Sequence, residues 1–193
     1  GHFSGDPHPG NYLLMDDRRV AFLDFGMTKR LRPEGIEREK AAIRATMEGN
    51  AAGVRAELAA LGFFALDDSS VDSKQLLAYV RAFHDWHADD RPFTITRSYV
   101  SELISVAAPG SRNWELEKRL SMPAEALFAR RLEMLTLGVL GQLETTANWH
   151  RIMGELLSGL EPSGELGRQE AAFFGSAVPR RSVARDGHEL HDA

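Results

Sequence analysis

Two apolar runs, Tyr12-Leu13-Leu14-Met15 and Val20-Ala21-Phe22-Leu23, are separated only by the polar Asp16-Asp17-Arg18-Arg19. Four turn-forming residues between two strand-length runs predict an antiparallel hairpin. Asn11 precedes the first strand and Asp24 ends the second, so the pairing brings both to the open end of the hairpin. Upstream lies Asp6-Pro7-His8-Pro9-Gly10-Asn11, and downstream Asp24-Phe25-Gly26. Each proline fixes its own φ and biases the preceding residue away from the helical region, while Gly10 permits a tight bend. The stretch from Asp6 to Asn11 is therefore a non-helical loop leading into the hairpin.

Asp-x4-Asn followed by a strand-borne Asp-Phe-Gly is the spacing of a phosphoryl-transfer site. Such chemistry asks for one carboxylate near the attacking group and for oxygen ligands to the magnesium that neutralises the phosphates. Asp6 takes the first role; Asn11 and Asp24 take the second, as ligands of Mg2+ and through it of ATP. A hard cation that keeps several waters needs no histidine or cysteine ligand. Asn11 can offer its carbonyl oxygen only if its amide group faces away. No glycine-rich nucleotide loop or strand lysine stands upstream of Asp6 in the sequence. The expectation is half an active site, with an absent N-terminal lobe: the chain alone turns over no ATP and binds nucleotide weakly and with magnesium.

The loop Asp6-Pro7-His8-Pro9-Gly10-Asn11 together with Asp24-Phe25-Gly26-Met27 resembles the ABC1/ADCK/UbiB (AarF) family of atypical, protein-kinase-like proteins. The close match covers roughly the first thirty residues. The helical remainder, with Gln142, Asn148 and Trp149, is similar in character to that family's C-terminal lobe. The resemblance implies an α+β, predominantly α fold, a kinase-like C-terminal lobe with one short β-hairpin. It also implies Asp6 as catalytic aspartate, Asn11 and Asp24 as metal ligands, and an atypical kinase or ATPase set in isoprenoid quinone or lipid metabolism. Members typically read His-Ala-Asp where this chain has Ser4-Gly5-Asp6. Two other readings stand beside this one. An aminoglycoside- or choline-type small-molecule phosphotransferase shares an Asp-x4-Asn loop with a later aspartate, but Asp24-Phe25-Gly26-Met27 followed by Lys29 and Arg30 speaks against it. A non-catalytic pseudokinase would use its helices as a docking surface.

The 193 residues, 43% hydrophobic and 26% charged, suffice for one respectable core. A formal charge of −5 argues against a nucleic-acid footprint, and zero cysteines exclude disulfides, thiolate zinc sites and cysteine nucleophiles. No apolar run approaches the ~20 residues that cross a bilayer. A cytoplasmic setting fits, with the peripheral membrane contact that the resemblance implies.

From Pro33 the sequence reads as helices: Pro33 to about Met47; Asn50 to Leu61, closed by Gly62; a segment capped by Asp72 with Gln75 and carrying Leu76, Val80 and Phe83; and Val100 to Ala107, stopped by Pro109-Gly110. A further helix starts near Pro123 and carries Phe128, Leu132, Leu135 and Val139. A last one carries Trp149, Ile152, Leu156 and Leu160. Three parts result: catalytic loop, hairpin and Asp-Phe-Gly segment (1–32), helical remainder (33–174), and a tail (175–193) whose few large apolar groups cannot offset ordering entropy. Gly110 to Ser121 reads as the one internal hinge. Met27 to Arg32 is too short for the peptide-docking segment of protein kinases, which favours a small-molecule or lipid-like substrate, or hydrolysis. His8 reads as a loop brace, and His84 and His87 as packed or solvated residues rather than a metal pair. Trp86, Trp114 and Trp149 read as anchors, and the doublets Arg130-Arg131 and Arg180-Arg181 as solvated faces.

Overall fold

The computed structural model describes residues 2–176. The expected tail, and with it Arg180 and Arg181, lies almost wholly outside these residues. The fold is α+β and predominantly α, with three two-stranded antiparallel sheets among the described residues.

Residues 2–30 form two nested hairpins. The outer one pairs β1 (His2–Ser4) with β4 (Thr28–Arg30), His2 opposite Arg30. The inner one pairs β2 (Tyr12–Leu14) with β3 (Val20–Phe22), Tyr12 opposite Phe22 and Leu14 opposite Val20. Its turn is the polar tetrad, with Arg18 at φ 67° and the Arg18 amide donating to the Met15 carbonyl at 2.9 Å. Leu14, Phe22, Leu23 and Phe25 are exposed, so the inner hairpin is held by its ladder and the edge-to-face Tyr12–Phe22 contact at 5.3 Å, not by a core of its own.

Helix α1 (Pro33–Met47) begins with proline, where a missing N–H costs nothing. The next helices carry side-chain caps: Asn50 accepts from the Gly53 amide for α2 (Ala51–Ala60), Asp72 from Gln75 for α3 (Ser73–Ala82), and Thr96 from Tyr99 for α4 (Arg97–Val106). After the one-turn α5 (Trp114–Glu117) comes the long α6 (Ala124–Gln142). Between α6 and α7 (Trp149–Ser158) runs β6 (Thr146–Ala147), paired with β5 (Phe93–Thr94); α8 (Glu165–Ser176) follows.

Two apolar clusters result, and α6 contributes to both. The larger gathers Ala42 and Ala45 of α1, Val54 and Leu58 of α2, Leu76 of α3, Leu116 of α5 and Ala126 of α6. The smaller gathers Ile95, Leu103 of α4 and Leu137 of α6. Helix α6 is thereby fixed along its length, which makes it a rigid backing for whatever lies against its other face.

Three expectations need correction. The Gly110 to Ser121 stretch is not a free hinge: α5 folds within it, Leu116 is 1% exposed, and the Ser121 amide donates to the Phe63 carbonyl at 2.7 Å. Leu160 does not belong to the last predicted helix, because α7 stops at Gly159, whose left-handed φ of 64° reverses the chain. Residues 165–176 are helical where no helix is read from the pattern.

Candidate functional site

The loop between the two hairpins is built locally. His8 Nδ1 accepts from the Gly10 amide at 3.0 Å, the Asn11 amide donates to the His8 carbonyl at 2.8 Å, and Pro9–Asn11 closes as a single 3-10 turn. His8 thus braces the loop. The Leu23 amide donates to the Asn11 carbonyl at 2.9 Å, placing Asn11 at the open end of the inner hairpin beside the strand that leads to Asp24.

Asp6 and Asn11 meet directly. Asn11 Nδ2 donates to the Asp6 carbonyl oxygen at 3.0 Å and to Asp6 Oδ2 at 3.2 Å. With the amide nitrogen turned to Asp6, the Asn11 carbonyl oxygen faces away from it, as a metal-ligating role requires. Asp24 has Oδ1 engaged by the Gly26 amide at 2.7 Å and forms no hydrogen bond to Asp6 or Asn11 among the described residues. It does line the same pocket: about 170 Å³, bounded by Ser4, Asp6, Asn11, Tyr12, Asp24 and Leu132. That volume suits an ion with a few waters rather than a nucleotide. Two carboxylates and one amide oxygen are hard donors of the kind magnesium takes, so the residues fit the ion. Burial, and then the Asp6 charge, raise the Tyr12 hydroxyl above its ordinary pKa, so Tyr12 faces the pocket as a neutral phenol.

Asp6 also borders a second and larger cavity, of about 800 Å³, walled by the apolar faces of α4 and α6 through Val100, Leu103, Ile104, Leu135 and Val139. One carboxylate therefore borders both a small pocket and a wide apolar cleft.

Residues 1–58 match the ABC1 atypical kinase-like domain. The likeness to that domain is confined to this segment. An uncharacterized protein of Synechocystis sp. is 58% identical over 33 residues, 17% of this chain and 5% of that protein. A second uncharacterized Synechocystis protein is 37% identical over 65 residues, 34% of this chain and 12% of the other. An uncharacterized, chloroplastic aarF domain-containing protein kinase of Arabidopsis thaliana is 53% identical over 34 residues, 18% of this chain and 5% of its own length. The ABC1 match thus takes in the loop, both hairpins, α1 and most of α2, and the matched stretches are a small fraction of these relatives.

The sequence pattern missed the contribution of α6 to the ABC1 segment. Arg131 reaches across 125 residues to the loop, its Nε donating to the Gly5 carbonyl at 3.1 Å and a terminal nitrogen to Asp6 Oδ1 at 3.3 Å. Arg130 pairs with Glu39 and Glu133. Neither arginine is the purely solvated residue that a doublet suggests. No local sequence signal points to Arg131; it lies one turn after Phe128, the ring that Lys29 overlies at 5.4 Å.

The other chemistry-bearing residues lie elsewhere. His84 and His87 are buried, 5% and 2% exposed, with Nδ1 of the first 3.2 Å from Nε2 of the second. Burial, and then the Arg130 charge, push His84 down to about 4. Burial, and then His84, do the same to His87. They are packed residues, and among the described residues no group of three or more histidine or acidic side chains could hold a metal ion. Trp86 and Trp149 meet edge to face at 5.7 Å, and the Trp149 indole donates to the Phe93 carbonyl at 2.9 Å, which makes them anchors of the smaller core. No described helix is long and apolar enough to cross a membrane.

Proposed function

We propose that this chain supplies the catalytic loop and the metal ligands of an ABC1-type kinase or ATPase acting on Mg-ATP. Asp6 orients the attacking hydroxyl or water, and Asn11 and Asp24 hold the magnesium. Bound there, the ion would neutralise charge on the phosphates and on the group being transferred. The observation that carries the reading is the common pocket of Asp6, Asn11 and Asp24, with the Asn11 amide turned toward Asp6 and its oxygen left for the ion.

The chain's own residues have distinct tasks. Asp6 accepts a hydrogen bond from the attacking group and so directs its lone pair. The Gly26 amide occupies one oxygen of Asp24 and fixes the carboxylate rotamer, leaving the other oxygen for a ligand. Tyr12, neutral beside Asp6, adds a hydroxyl without adding charge. The cleft between α4 and α6 supports a small-molecule or lipid-like acceptor, because its walls are apolar and it ends at Asp6.

Titration of the 193-residue chain with Mn2+ in the presence of ATP, followed by water-proton relaxation, tests this. Asp24→Asn weakens binding at least about tenfold, or ~1.4 kcal/mol, whereas His8→Ala leaves it near that of the unchanged chain. Equal losses from the two substitutions refute the assignment.

A further inference from the structure

The Asp6 carboxylate is held from two sides. Asn11 Nδ2 takes Oδ2 at 3.2 Å, and a terminal nitrogen of Arg131 takes Oδ1 at 3.3 Å while its Nε holds the Gly5 carbonyl at 3.1 Å. The first grip comes from within the loop. The second comes from α6, a helix locked at both ends by Ala126 in one core and Leu137 in the other. We propose that Arg131 is a positioning residue for the phosphoryl-transfer site: by fixing the rotamer of Asp6 from α6, it also fixes the Asn11 amide, so that the carbonyl oxygen of Asn11 faces the metal pocket. This rests on the metal reading given above, and Arg131 lies outside the 1–58 segment that matches the ABC1 domain.

The geometry favours arginine over any other side chain. A guanidinium offers several donors in a fixed plane, so one residue can bind a backbone carbonyl and a carboxylate together. Lysine, with a compact ammonium on a flexible stem, would satisfy one contact at a time. The loop presses against α6 at the same place. A side chain at Gly5 would put its Cβ 3.3 Å from Phe128 and from Met27, so glycine allows the backbone to come within reach of Arg131. The Gly5 amide in turn donates to the Met27 carbonyl at 2.7 Å, tying the loop to the segment after Asp24.

Arg131 is half exposed and Asp6 about one-third exposed, so the pair adds little to global stability, on the order of 0–1 kcal/mol. Its effect belongs to orientation. Loss of a tie that sets the reacting geometry costs far more in rate than in stability, roughly up to 100-fold for a displacement near 1 Å.

The test uses the full chain and the Asn11 side-chain amide resonances in a nitrogen–proton NMR spectrum, assigned by their disappearance in Asn11→Ser. In Arg131→Ala the hydrogen-bonded amide proton moves upfield toward the free-amide position, Mn2+ binding with ATP weakens several-fold, and the thermal midpoint stays put. Added guanidinium restores the amide shift in Arg131→Ala, and Arg131→Lys recovers it in part. An unmoved Asn11 amide in Arg131→Ala overturns the proposal, as does recovery of the full signal by lysine. A parent chain that binds no Mn2+ with ATP sinks the metal reading alone, and the amide resonances then still decide whether Arg131 positions Asp6.

Discussion

Lowering the pH from 7.5 to 5 weakens this fold through His84 and His87, and the size of the effect follows from their burial. Both are pushed from 6.5 to about 4 in the folded chain. Between those values the unfolded chain binds protons that the folded chain refuses, so stability rises with pH across that window and is fully present above pH 6.5. For one histidine the loss at pH 5 is about 2 kcal/mol, and for two about 4 kcal/mol. The charged groups around the pair add to the effect: Arg130 lies beside His84 and His150 beside His87, and both disfavour a further positive charge, while a backbone hydrogen bond at His87 opposes the burial there only in part. Paired carboxylates such as Asp90, held below the ordinary range by hydrogen bonds from Arg151 and Asn148, matter only at lower pH. With a urea slope of roughly 2 kcal/mol per molar, the denaturation midpoint falls by about 2 M between pH 7.5 and 5. Circular dichroism at 222 nm across that series measures it. His84→Gln is less stable at neutral pH yet loses only about half as much on acidification, since one titrating ring remains. A pH-independent midpoint in the parent chain, or the same slope in His84→Gln, refutes the argument that burial keeps these rings neutral.

Leu76 is fully buried in the larger core between α1, α2 and α5, so Leu76→Ala leaves a cavity and costs about 3 kcal/mol in urea unfolding. Asp72→Ala removes the cap on the Gln75 amide and costs about 1 kcal/mol, whereas Asp72→Asn, which keeps the acceptor, costs a few tenths. Gly62→Ala destabilises by about 1 kcal/mol although its Cβ has room, because φ of 92° disfavours any side chain; equal stability of the two chains in a thermal melt contradicts that.

Much of the candidate site was legible because its geometry is local. A polar tetrad between two apolar runs sets the register that puts Asn11 and Asp24 at one end, and the prolines with Gly10 set the loop that joins Asn11 to Asp6. Helix starts were legible for the same reason: Asn50 and Asp72 accept from amides within their own first turn, and Pro33 fixes its own φ at the first helical position. The two-residue β5 and β6 were not, since Phe93–Thr94 and Thr146–Ala147 are too short to carry a period and pair across more than fifty residues.

Sequence alone determined which residues gather at the open end of the hairpin, because the backbone there is set by preferences acting within a few residues. Tertiary structure decided what surrounds that chemistry. Burial of Leu116 turned an apparent hinge into a fixed corner, and packing of α6 into both cores brought Arg131 to Asp6 and opened an apolar cleft on its other side. Contacts across a hundred residues are selected by how whole faces pack, and no local pattern near Arg131 carries that information.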